Sequence, residues 1–177
     1  MGRTSTQEIF DMDLAIASLA PIIRNNATTS GLTASAVWPA ANEGSFFPFS
    51  VNKTTVIQNA WCYNGATAAG NIDFAIYNSA YAKIAHATAT AQAGTNVLQV
   101  IALSATLVPG QYYGAMSASL GTATIFRANV GEPLAQYGYA KQSTVHPLSG
   151  IATITPVTLG TGNVTIPVFG FMPRSFV

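Results

Sequence analysis

GNIDFAIYN, residues 70–78, is the stretch that decides the fold. Ile72, Phe74 and Ile76 fall on alternate positions and so share one face, which is the spacing of a half-buried strand and not of a helix. Gly70 before it and Asn78 after it are residues that punctuate turns. The same grammar recurs on both sides of this segment. Short runs rich in branched and aromatic residues stand at 46–51, 54–63, 82–85, 97–103, 111–117, 123–127, 151–155 and 164–169, separated by Gly, Pro and Asn. In 54–63, Ile57, Trp61 and Tyr63 are expected on one face, with Asn59 as its polar exception. Val108-Pro109-Gly110-Gln111 reads as a type II turn, Pro supplying a fixed φ and Gly a positive one. Asn64-Gly65 opens what reads as a longer loop. About eight or nine strands at this spacing predict an all-β, jelly-roll-like antiparallel sandwich.

The composition narrows what such a body does. Only 7% of the 177 residues are charged, seven Lys and Arg against six Asp and Glu. A typical globular domain carries roughly 25%. The surface must then consist of Thr, Ser, Asn, Gln, Ala and Gly, which favours association over dispersal. A net charge of +1 with no basic cluster gives no footprint for nucleic acid and no patch for a membrane surface. The longest apolar run, 14–23, contains Pro21 and is too short to span a bilayer. Glu8, Asp11 and Asp13 stand where an export signal needs basic residues. The single Cys62 excludes an internal disulfide.

The N-terminal quarter reads differently from the rest. Ser5 and Glu8 have the spacing of a capping box, and Ile9, Met12, Ile16 and Leu19 follow at helical intervals, predicting a helix over 5–19 with one apolar stripe. From 24 to 45 the Asn-, Thr-, Ser- and Ala-rich text reads as an extended connection. Residues 1–45 are therefore expected to form a helix and extended arm, and 46–177 the sandwich.

Candidate chemistry is sparse. His86 and His146 have no G-x-S-x-G elbow to serve, and the acids beyond the N-terminal segment, Glu43, Asp73 and Glu132, form no paired motif for glycoside hydrolysis. His86, His146 and Asp73 match no metal-ligand spacing, and no Asp-rich calcium loop exists. Cys62, flanked by Trp61 and Tyr63, reads as a small buried apolar residue. No catalytic residue, metal or cofactor is expected. Of the tyrosines, Tyr77, Tyr81, Tyr112 and Tyr113 read as strand or turn residues, whereas Tyr137 and Tyr139, in a Gly-flanked segment, are the candidates for contact with a glycan.

Four segments in order, FPFSVNKTTVIQNAWC (47–62), GNIDFAIYN (70–78), VLQVIALSATLVPGQYY (97–113) and IPVFGF (166–171), resemble the jelly-roll domains of tailed-bacteriophage virion structural proteins. Such domains occur in capsid decoration or cement proteins, head fibres and tail-fibre tips. The resemblance covers roughly 46–171 and implies a non-enzymatic protein of the capsid surface. The expected partners are copies of itself, as a homotrimer, and the major capsid protein, reached through Ile9, Met12, Ile16 and Leu19 of the arm. The start at Met1, without a long shaft, favours a stand-alone accessory. The alternative is a receptor-binding tip that recognises host glycan.

Overall fold

Twelve strands and no helix make up the described residues of the computed structural model, which are 32–128, 140–148, 150, 155–156 and 166–173. In order they are β1 (Leu32–Val37), β2 (Gly44–Val51), β3 (Thr55–Tyr63), β4 (Asn71–Asn78), β5 (Lys83–Ala91), β6 (Leu98–Leu107), β7 (Gly110–Ala118), β8 (Thr124–Ala128), β9 (Ala140–Gln142), β10 (Thr155–Pro156), β11 (Ile166–Pro167) and β12 (Phe169–Pro173). The pairings nest: β4 with β5, β3 with β6, β2 with β7, all antiparallel, and β7 then returns to lie beside β4. A long hairpin wound on itself in this way is a jelly roll. It yields a sheet in the order β10-β9-β2-β7-β4-β5 facing a sheet in the order β12-β3-β6, with a third, β1-β8-β11, at one end.

The layers meet through the alternation read from the sequence. Ile72, Phe74 and Ile76 of β4 are fully buried, together with Phe47 and Phe49 of β2 and Met116 of β7. Opposite them lie Ile57, Ala60, Cys62, Leu103, Phe169 and Phe171. Phe169 meets the Phe47 ring edge-on at 5.5 Å, and Phe171 lies 6.1 Å from Phe49. Each such ring contributes about 1.5–3 kcal/mol by leaving water. Gly114 makes room for this layer, because a Cβ there would stand 2.5 Å from Phe171 Cε2.

The structure departs from the sequence reading at several points. Strand pairing begins inside the segment read as an extended connection: β1 pairs with β8, Trp38 is buried in the core, and β2 starts at Gly44. Its text, LTASAV, lacks the bulky alternation that marks the other strands. The run at 82–85 continues to Ala91, because HATATA alternates only Ala with Thr and His and carries little apolar signal. Ile57 does not share a phase with Trp61 and Tyr63. The register shifts between Ile57 and Asn59, after which Ala60 and Cys62 take the inward positions. Gly110 has no positive φ, since it already pairs with Val51 as the first residue of β7, so the turn is not type II. The run at 164–169 is two strands, β11 and β12. The helix expected over 5–19, with Ile9, Met12, Ile16 and Leu19, lies outside the described residues, as do Glu132, Tyr137 and Tyr139.

Candidate functional site

β4 and β7 are buried on both faces, which a two-layer sandwich alone does not explain. The second cover is the segment around 143–150. Val145 and Leu148 pack on Phe46, Ala75, Tyr77, Ala115 and Ala140 to make a small second core on the outer side of the larger sheet. A Cβ on Gly44 would reach within 2.7 Å of Val145 Cγ1, so this strand allows the cover to sit down only because it carries glycine there.

Polar groups fasten this strap at defined points. Asp73 is fully buried on β4, and its Oδ2 accepts the Leu148 N–H at 2.7 Å. His86 Nε2, from β5, lies 2.9 Å from both carboxylate oxygens, with the hydrogen bond aligned on Oδ2. Asp73 stands opposite Ser117 in the β4–β7 register, and Ser117 Oγ lies 2.9 Å from His146 Nδ1. Lys83 Nζ donates to the Leu148 carbonyl at 2.7 Å, and Val145 N–H donates to the Asn42 carbonyl at 2.7 Å. Lys141 pairs with the buried Glu43 at 3.4 Å nearby. Burial pushes the His146 imidazole below its ordinary range, against the opposing pull of the Asp73 charge.

The topology thus gathers Ser117, His146, Asp73 and His86, four residues that no spacing in the sequence connects. Their arrangement is that of a fastening. A nucleophilic serine needs an open approach for the reacting carbon, and Ser117 is fully buried under the strap. The Asp73 carboxylate is engaged by Leu148 and His86, so no hydrogen bond from it orients the His146 ring as a base. Among the described residues no group of three His, Cys, Asp or Glu side chains is placed to hold a metal. Burial pushes the Cys62 thiol up to about 12, which leaves it unreactive.

A second polar cluster closes one end of the sandwich. Asn64 Nδ2 donates to the Ala93 carbonyl at 2.7 Å and to Gln99 Oε1 at 2.8 Å, while its Oδ1 accepts from Gln92 Nε2 at 3.1 Å and from Cys62 Sγ at 3.4 Å. Gln92 Nε2 also donates to the Thr124 carbonyl, and Gln92 Oε1 accepts the Ala69 N–H. Every partner here is neutral.

Two open surfaces remain. The outer face of β12-β3-β6 belongs to strands reading FGFMP, TVIQNAWCY and LQVIALSATL, without one charged residue, and Val56, Leu98 and Val100 project from it 39%, 48% and 47% exposed. On the opposite sheet, beyond the edge of the strap, Tyr81 and Tyr113 form a pair with ring centroids 5.0 Å apart and hydroxyls at 3.5 Å. Tyr81 sits at the β4–β5 turn with φ +62°, where its N–H donates to the Asn78 carbonyl and Asn78 Oδ1 accepts the N–H groups of Ala80 and Ala82. That left-handed position suits glycine and costs another L residue about 1–2 kcal/mol. Tyr77 is buried against Phe46, and Tyr112 donates to the Val108 carbonyl, so neither is free for a ligand.

No family model, curated protein or solved structure matches the chain. The sequence reading named Asp73, His86 and His146 without a signal that they meet, and it passed over Ser117 and the Val145–Leu148 cover, whose roles arise only from the β4–β7 register.

Proposed function

We propose that this protein is a non-enzymatic structural component of a phage virion, a decoration or cement protein of the capsid surface that assembles with copies of itself as a homotrimer and with the major capsid protein. The observation that carries the reading is the charge-free outer face of β12-β3-β6 with its projecting Val56, Leu98 and Val100. Burying such a face removes apolar area from water without the cost of several kcal/mol that each desolvated, unpaired ion would add. The resemblance of the strand motifs to phage jelly-roll proteins points the same way. Attachment to the particle is assigned to residues 1–31, with Ile9, Met12, Ile16 and Leu19 as the contact, because among the described residues the strands of the body begin at Leu32.

Two measurements test this. Light scattering of the full chain is expected to give an oligomer that Leu98→Lys with Val100→Lys disperses. A strictly monomeric wild-type protein at micromolar concentration refutes the assembly. Removal of residues 1–31 is expected to leave a folded body that no longer labels particles in electron micrographs. A folded, truncated body that still binds the particle removes the arm from the mechanism.

A further inference from the structure

A bulky aromatic at a left-handed turn position calls for a reason outside the fold, because glycine would serve the turn better. Asn42, Asn96 and Thr144 are the other non-glycine residues with positive φ among those described, all of them small and polar. Tyr81 alone is large. Its conformation sets its ring against Tyr113 at the lip of the strap, where the covered half of the outer sheet face gives way to an open half.

The open half has a specific chemistry. Tyr113 stands opposite Pro48, and Gln111 opposite Ser50, so the side chains of all four point to the same side as the tyrosine pair. Ser50 Oγ donates to Gln111 Oε1 at 3.0 Å, which leaves both amide hydrogens of the exposed Gln111 free to donate outward. Lys83, on β5 of the same sheet, is engaged by the Leu148 carbonyl. Tyr81, Tyr113, Ser50 and Gln111 offer aromatic faces, hydroxyls and an amide, and none of the four is charged. β4 and β7 are hydrogen-bonded on both edges.

We propose that Tyr81 and Tyr113, with Gln111 and Ser50 beside them, form a binding platform for a neutral pyranose residue of a polysaccharide. The C–H face of the sugar lies on the tyrosine rings, and its hydroxyls pair with Gln111 and the phenols, the apolar-surface-with-few-polar-groups pattern of small-ligand sites. The hydrogen bond shared with Tyr81, followed by burial, raises the Tyr113 phenol above its ordinary value. Among the described residues no carboxyl pair flanks the ledge, and the proposal is for a sugar that is held and not cleaved. This site is independent of the assembly face, which lies on the other sheet.

The test uses the full chain and a panel of neutral hexasaccharides: maltohexaose, cellohexaose, mannohexaose and chitohexaose. A polyproline peptide is the control. Saturation-transfer NMR and calorimetry are expected to find at least one sugar with Kd below about 1 mM. Tyr81→Gly and Gln111→Ala are each expected to weaken it about tenfold. Tyr81→Gly should melt at or above the wild-type temperature, because it relieves the left-handed backbone. Failure of every sugar overturns the proposal, as does binding that survives Tyr81→Gly, or binding of polyproline in place of sugar. A Tyr81→Gly protein that melts lower and keeps its sugar affinity gives the pair a purely internal role. Dispersal by Leu98→Lys with Val100→Lys is unaffected by any of these results, so the two readings fail separately.

Discussion

The two outer faces of the sandwich are made of the same kind of strand and are finished in opposite ways. Over β2, β7 and β4 the chain covers itself, and there it places Asp73, His86, Lys83, Glu43 and Lys141. Over β12, β3 and β6 it places no charge at all. Within one molecule a charge can be matched to a fixed partner, as Asp73 is to the Leu148 N–H. Across an interface with another molecule an unmatched ion is a penalty of several kcal/mol. Among the described residues the scarcity of charge is thus not spread evenly. It is concentrated where we assign assembly.

The largest effect is expected from Asp73→Ala. It removes the acceptor that Leu148 and His86 share, and destabilisation of about 2–4 kcal/mol is expected in urea melts. A change under about 0.5 kcal/mol shows that the strap holds by packing alone. Gly44→Ala should cost about 1–3 kcal/mol, since its Cβ meets Val145 at 2.7 Å, and the loss should shrink when Val145 is trimmed to Ala. On the opposite face, Leu98→Lys with Val100→Lys should change stability by no more than about 0.5 kcal/mol per site while dispersing the oligomer. A destabilised monomer there erases the contrast, because it makes that face part of the fold.

The smallest effect concerns pH. His146 is held below its ordinary pKa by burial, so the unfolded chain takes up its proton first as pH falls. Its contribution is fully present above the ordinary histidine value and is lost as pH drops through it. Comparison with His146→Gln, whose stability should fall less steeply between about pH 7 and 5, isolates this contribution. An identical slope in the two proteins removes His146 from the account.

Much of this body is legible in the sequence, and the failures have physical causes. GNIDFAIYN gives β4 to the residue, because Ile72, Phe74 and Ile76 alternate along it as large apolar side chains. β1 is hidden because LTASAV is built mostly from small residues and its partner, β8, lies far along the chain. The phase of β3 breaks at a register shift that only the partner strand β6 defines. Ser117 and His146 are adjacent through pairing, not spacing, so the fastening leaves no local signal. The tyrosine ledge is half visible: Tyr81 and Tyr113 are plain in the text, but the strained turn that aims one at the other is not.

The amide cluster at the end of the sandwich bears on how the protein ages. Asn64 precedes Gly65, the sequence in which an asparagine most readily cyclises to succinimide and deamidates. That reaction needs the following backbone nitrogen to swing onto the side-chain carbonyl carbon. Here the Gly65 N–H is bound to the Thr124 carbonyl at 2.8 Å, and the Asn64 amide is held at both its oxygen and its nitrogen. The network that closes the sandwich also engages both groups that would have to react, so deamidation here is expected to follow local opening of the fold and not the intrinsic rate of the dipeptide.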